Sequence, residues 1–342
     1  MNHKNINILS IVPNNNSIWQ HMEGLNRLFN HKIIPSNESI NLLELAVDGI
    51  FDNLDLIIWA GDFDKIINTV SSIKNAYPKI KHGWIFCSSI GEFEIQNEWD
   101  YIFKRIHSID SRYNEWDKMF NAFFTGDRFI EKLKFNGHID LNGDYQQRIF
   151  HLPQTMNKSF YSIRDIDDRI ENSIGLLSTS RPKKNIANQL AACNILKNEY
   201  KYRNLKVFTD SLSPELRTWG SMLGLNIIEK SDRMPRGEWI DLLGQMHIVC
   251  QVTYADSFNY IIAESVLMGV PVVCGSNIDW MSDYSKVEDN TNPYQIADKI
   301  KSLLKNDDDN DILNDESYNN LIDRLEDHDK IICQNIRKVI NA

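Results

Sequence analysis

Two carboxylates, Asp256 and Glu264, stand eight residues apart in the run DSFNYIIAESVLMGVP, from Asp256 to Pro271. A carboxylate is an acceptor with several lone-pair positions, so two of them along one ligand suit hydroxyl groups. The segment between them reads as a helix, with Ser257 as its N-cap. A helix start presents unpaired amides and the positive end of the dipole, which fits the amides of Ser257, Phe258 and Asn259 to hold a phosphate. At 1.5 Å per residue, Glu264 falls about 12 Å beyond the helix start, far enough to meet a different part of an extended ligand from the part Asp256 meets. Taken singly, each acid has a plainer reading, Asp256 as a capping group and Glu264 as a solvated helix residue. The combination favours the ligand.

The elements that must position these acids surround them in order. His247–Val252 is a short apolar strand, Gly269 and Pro271 stop the helix, and PVVCG is a second apolar strand. Strand, helix and strand make a βαβ unit, which belongs to a parallel sheet. Ligands of such sheets bind at the carboxyl ends of the strands, where Thr253 to Asn259 lie.

The segment resembles the signature of the retaining glycosyltransferases of the family 4 type, which have the GT-B fold of two Rossmann-like, doubly wound domains facing across a cleft. Their pattern is Glu-Gly-Phe-Gly, four apolar-leaning positions, Glu-Ala, a small or apolar stretch, and Gly-x-Pro-Val-Val. Here Phe258, Glu264 and Gly269-Val270-Pro271-Val272-Val273 match in register. Asp256 replaces the first Glu and is a methylene shorter, while Ser257 and Asn259 replace the two glycines, whose loss restricts backbone approach to a phosphate. The resemblance implies that Asp256 orients the sugar of a nucleoside-diphosphate donor and that Glu264 binds its ribose.

A second match follows the strand Ile174–Ser178, in the loop Thr179-Ser180-Arg181-Pro182-Lys183-Lys184-Asn185 before an amphipathic run from Ile186 to Tyr200. The family has Arg, a few residues, then Lys-Gly or Lys-Asn here. Lys184-Asn185 aligns with the Lys element, Thr179 occupies the Arg position, and Arg181 is the substitute two residues later. The resemblance implies that this cationic pair neutralises the leaving diphosphate, Arg as a fork and Lys as a point charge. A solvated basic turn is the plainer alternative.

The rest of the carboxyl-terminal half continues the alternation. Leu205–Thr209 is a strand, Ser213-Pro214-Glu215 opens a helix ending near Gly224, Asn226–Glu229 is a strand, and a helix over Glu238–Gln245 follows. The loop Ser231–Pro235 lies, by the resemblance, near the nucleotide base, which makes Arg233 and Met234 candidate contacts. In the amino-terminal half, strands at Asn7–Val12, Leu54–Ala60 and Gly83–Cys87 alternate with a helix at Ser17–Phe29, and Met119–Thr125 and Arg148–Pro153 read as late strands. Pro13-Asn14-Asn15-Asn16 stands where relatives carry a glycine-rich loop. Candidate acceptor-side residues are Asp62, Ser88, Ser89, Glu92 and His21, and no spacing among them identifies a base. A helical histidine such as His21 is more often a packing residue.

With 342 residues the chain suits two domains, expected at 1–154 and 155–315, with helices at 316–342 returning to the first. Asn306–Asp311 reads as an acidic linker. No apolar run reaches about 18 residues and the start is not a signal peptide, so a cytoplasmic protein is expected, in host cytoplasm if phage-encoded. The five cysteines have no metal-ligand spacing and read as reduced, buried thiols. A net charge of −10 opposes a broad nucleic-acid surface, although Arg128, Lys132 and Lys134 form a small basic face. Heavy use of Asn, Ile and Lys suggests an AT-rich genome.

The leading expectation is a metal-independent retaining hexosyl- or pentosyltransferase without a cofactor, its nucleotide sugar being a substrate, acting on the hydroxyl of a surface glycan or glycolipid. A modified base in phage DNA is an alternative acceptor. The expectation from another class is a GT-B binding or scaffold protein that has lost turnover, which the replaced glycines and Asp256 would suit.

Overall fold

The structure is a computed structural model and describes residues 4–12, 16–36, 42–60, 63–86, 119–125, 149–230, 234–256, 258–305 and 307–342. It divides into two compact units, Met1–Asn157 with Leu325–Ala342, and Lys158–Arg324. The class is α/β throughout.

In the first unit the described elements are β1 (Asn7–Val12), α1 (Asn16–Leu25), β2 (Asn30–Pro35), α2 (Leu42–Val47), β3 (Leu56–Trp59), α3 (Phe63–Ala76), β4 (Lys81–Phe86), β5 (Ala122–Thr125) and β6 (Ile149–His151). The strands form one parallel sheet in the order β2-β1-β3-β4-β5-β6. β1 and β3 are buried along nearly their whole length, as central strands of a sheet covered on both faces must be. β2 was not expected from the sequence. Its run NHKIIP mixes polar residues with two isoleucines because it is an edge strand with partial exposure.

The second unit contains β7 (Ile170–Leu176), α4 (Ile186–Asn198), β8 (Lys206–Thr209), α5 (Pro214–Met222), β9 (Asn226–Glu229), α6 (Arg236–Gly244), β10 (Met246–Gln251), α7 (Tyr260–Leu267), β11 (Val272–Gly275), β12 (Lys286–Val287) and α8 (Pro293–Lys305). Its parallel sheet runs β12-β11-β10-β7-β8-β9. Apolar faces of α4 and α8 (Ile186, Leu190, Ile296, Ile300) close on Ile174, Val207, Ile248 and Val273 to make its core. Ser213 caps α5 through Leu216 N, with Pro214 in the first helical position, as the sequence indicates. β7 starts at Ile170, four residues before the expected Ile174, because Glu171 and Asn172 lie at its polar, partly exposed beginning.

A single helix, α9 (Asp307–Asn341), ends the chain. The acidic run expected as a linker is helical from Asp307. Ser282 is tied to this helix through Glu316 and Ser317, and Arg324 reaches Asp279 at 2.9 Å. In the first unit, Ile332, Ile336 and Val339 of α9 enter the core, and Asn335 Nδ2 donates to the His151 carbonyl at 2.7 Å.

Four cysteines, Cys193, Cys250, Cys274 and Cys333, are buried free thiols, and Cys87 lies outside the described residues. Burial pushes Cys193 and Cys274 up to about 12, which keeps them protonated and unreactive. His82 on β4 is fully buried and its Nδ1 accepts from Trp59 Nε1 at 3.1 Å. Desolvation, aided by the nearby Lys74 charge, lowers it to about 4. A folded value below the unfolded 6.5 means stability that is complete above pH 6.5 and is lost as pH falls toward 4. His82 is expected to contribute about 3 kcal/mol of that loss, with His31 on β2, which burial lowers to about 3, contributing beside it, so His82→Gln should make the fall of the first unit's urea midpoint shallower. An unchanged slope in that variant would exclude His82 as its source.

Candidate functional site

In the second unit, β8 and β9 follow β7 on one side, whereas β10 returns to its other side. The connections leaving β7 and β10 therefore diverge at the carboxyl ends of neighbouring strands, the topological switch point where α/β sheets form a crevice. The first of these loops carries Lys184 and the second Asp256. Lys184 closes a 3-10 turn, Pro182–Lys184, whose proline takes the first position, and Asn185 leaves it in the left-handed region (φ 54, ψ 31) to open α4. Lys184 Nζ lies 2.7 Å from Asp256 Oδ2, with the two side chains only 12% and 11% exposed. Two residues 72 positions apart thus form one partly desolvated ion pair, and the pair matches the two sequence motifs to one place.

Asn259, not Ser257, caps α7, which begins at Tyr260; Ser257 itself lies outside the described residues. Asn259 Oδ1 accepts from Ile261 N at 3.1 Å and Ile262 N at 3.3 Å, so these first amides of α7 are already engaged. Asn259 also adopts φ 54, the positive value that explains why a glycine suits this position in the resembling signature and why Asn is tolerated. Its Nδ2 donates to Asp256 Oδ2 at 3.0 Å. One asparagine replaces the glycine's conformational role, caps the helix and steadies the first carboxylate. Phe258 is buried against Tyr260 and Trp280, and its carbonyl accepts from Trp280 Nε1, so its ring belongs to the core and only its main chain can serve a ligand.

Three further amides fix the Asp256 loop by its carbonyls. Asn185 Nδ2 donates to Val252 O at 3.0 Å, Asn290 Nδ2 to Thr253 O at 2.9 Å, and Asn277 Nδ2 to Asp256 O at 2.6 Å. Asn185 also reaches Asn290 O at 2.6 Å. Gly275, at the end of β11, makes room for this lattice: a Cβ there would lie 2.4 Å from Asn277 Oδ1 and 2.6 Å from Asn290 Nδ2. Gly275→Ala is therefore expected to destabilise the protein by about 1 to 3 kcal/mol and to weaken any ligand held by Asp256. Thermal melting with a binding titration checks this, and a variant with wild-type melting and binding would show the lattice to be idle.

Glu264 is not a solvated helix residue. It is 1% exposed, and both oxygens are engaged. Oε1 accepts from Tyr161 Oη at 3.1 Å and from Arg236 Nη2, and Oε2 accepts from Trp239 Nε1 at 3.1 Å. Arg236 Nη2 also donates to Tyr161 Oη. Burial, with the adjacent Glu264 charge, raises the Tyr161 phenol far above its ordinary value, so it remains protonated and a donor.

The structure does not join Arg181 to this group. It is exposed and its Nε donates to Thr179 Oγ1 at 3.2 Å, because Pro182 starts the turn that points Lys184 inward and leaves Arg181 at its outer rim. Met234 is half-buried ahead of α6, and His21 is buried on α1, which suits packing. Arg233, Asp62, Ser88, Ser89, Glu92 and the Arg128–Lys134 face lie outside the described residues. Asn277, Asn290, Tyr161, Arg236 and Trp239 were not singled out from the sequence. The only local trace was Arg236 and Trp239 three residues apart at the start of a helix, on one face. Among the described residues no cluster of side chains suits a metal ion, and no helix is long and apolar enough to cross a membrane.

No protein-family model matches the chain, and no curated protein matches its sequence. Solved structures match its fold. An alpha-glucosyltransferase in complex with UDP and a 13-mer DNA containing a HMU base superposes with a TM-score of 0.68 at 12% identity, over 98% of this chain and 100% of that one. A UDP-forming trehalose-phosphate synthase from Burkholderia xenovorans gives 0.62 at 9% identity over the full length of both. TarM gives 0.60 at 16% identity, covering 84% of this chain, which spans 55% of TarM. The chain has the GT-B fold, with two Rossmann-like parallel sheets in separate units.

Proposed function

We propose that the chain is a retaining glycosyltransferase that moves a sugar from a nucleoside-diphosphate donor to an acceptor hydroxyl without a cofactor or a required metal. The observation that carries this reading is the Lys184–Asp256 contact at the switch point of the second sheet. When a donor arrives, its diphosphate offers Lys184 a more highly charged partner, and Asp256, still steadied by Asn259, turns its oxygens to the sugar hydroxyls. Cleavage of the bond between the anomeric carbon and the phosphate oxygen leaves the electron pair on the diphosphate, where Lys184 stabilises it. The acceptor oxygen bonds to the same face and its proton passes to the departing phosphate oxygen, so configuration is retained. Glu264 serves the ribose.

The default acceptor is a surface glycan or glycolipid. The second reading, a modified base in DNA, is favoured by the fold-level likeness to the alpha-glucosyltransferase bound to HMU-containing DNA and opposed by the net charge of −10. Thermal shift across nucleotide sugars, followed by release of free diphosphate nucleotide, tests the reading. Stabilisation by UDP or GDP forms together with donor hydrolysis supports it. Stabilisation without hydrolysis or transfer to any acceptor would favour a scaffold, and no stabilisation by any nucleotide would refute a donor site. Transfer to hydroxymethylated DNA rather than to glycan acceptors would decide for the second reading.

A further inference from the structure

The group around Glu264 is built more completely than a helix contact requires. A carboxylate has about four acceptor positions, and here three are filled: two on Oε1, by Tyr161 and Arg236, and one on Oε2, by Trp239. The three donors come from two places, Tyr161 from the segment before β7, and Arg236 and Trp239 from one face of α6. A carboxylate that is 1% exposed would be costly to bury alone, and the guanidinium, 31% exposed, offsets its charge. The Arg236 guanidinium also lies 5.8 Å from the centre of the Tyr161 ring, which limits both groups to one arrangement.

We propose that Tyr161, Arg236 and Trp239 are positioning residues for the nucleoside half of the donor: they fix the rotamer of Glu264 and leave one acceptor position, on Oε2, for a ribose hydroxyl. The inference rests on the glycosyltransferase reading and deepens it. A carboxylate with two open oxygens would accept both hydroxyls of a ribose in several poses. One whose Oε1 is closed accepts a single hydroxyl in one pose, so the clamp makes the site selective for a ribose over a sugar lacking the hydroxyl. Tyr161, near the beginning of the second unit, thereby enters the donor site although it is 103 residues from Glu264.

The test uses the full-length protein and measures dissociation constants for UDP and GDP and for their 2′,3′-dideoxy counterparts. The wild-type protein is expected to bind one of the ribonucleotides at least tenfold more tightly than its dideoxy form, the worth of one hydrogen bond to a charged group. Tyr161→Phe, which keeps the ring, and Arg236→Lys, which keeps the charge, are expected to lose most of that ratio and to raise the donor KM while kcat changes less than about threefold. Lys184→Ala should weaken both nucleotides together and keep the ratio, because it acts on the diphosphate. If Tyr161→Phe and Arg236→Lys retain the full ratio at wild-type melting temperature, the three residues are a structural staple and the inference fails while the donor site stands. A wild-type protein that binds ribo- and dideoxynucleotides equally also overturns it. Failure of the wild-type protein to bind any nucleoside diphosphate would instead overturn the glycosyltransferase reading itself.

Discussion

Lys184→Ala is expected to lower turnover by about 10²- to 10³-fold, the usual loss when a group that stabilises developing charge is removed. Two consequences of the contact make up that loss. The leaving diphosphate loses its cation, and Asp256, 11% exposed and 2.7 Å from the ammonium, keeps only the Asn259 amide as a side-chain partner on Oδ2. An unpaired carboxylate at this position also repels a phosphate. Lys184→Arg should recover part of the loss, because the charge returns but the planar fork does not fit the place of a point charge closing a tight turn. Released nucleotide, measured at saturating donor with melting curves as a control for folding, checks both variants. Activity of Lys184→Ala within about threefold of the wild type would remove Lys184 from the mechanism.

Asp256→Asn is expected to move binding and turnover in opposite directions. Without the aspartate charge, Lys184 has no competing anion, so a nucleoside diphosphate should bind several-fold more tightly. The sugar loses a charge-assisted acceptor whose value rises as positive charge develops at the anomeric carbon, so kcat should fall by about 100-fold. Tight binding with slow turnover separates a group that acts in the transition state from one that merely shapes the loop, since a misfolded loop would weaken both. Binding and turnover that fall together would mean that Asp256 is a structural partner of Lys184.

The architecture around these residues was readable because it depends on local chemistry. The apolar run of β10, the stop at Gly269 with its φ of 74, and the following VVCG of β11 fix a βαβ unit without reference to distant residues. The placing of Lys184 and Asp256 was readable for a related reason, since each sits in the loop that follows a strand. Their mutual contact was not, because it depends on β10 returning beside β7. Capping was misplaced by two residues: serine and asparagine cap about equally well, and only the start of the helix at Tyr260, with Asn259 at positive φ, decides between them. The asparagine lattice had no signal at all. Asn277 and Asn290 look like ordinary turn residues, and their roles exist only where the loops after β10, β11 and β12 converge. Glu264 was read as solvated in its plainer version because nothing near it in sequence announces Tyr161 or Arg236.

If the carboxyl ends of β7 and β10 in the second unit hold a nucleoside diphosphate between Lys184 and Asp256, calorimetric titration of UDP and GDP into the wild-type and Lys184→Ala proteins will register it. Saturable one-to-one binding of at least one of them is expected, weakened tenfold or more by the substitution. Binding of equal strength in both proteins, or none in the wild type at millimolar nucleotide, would contradict it.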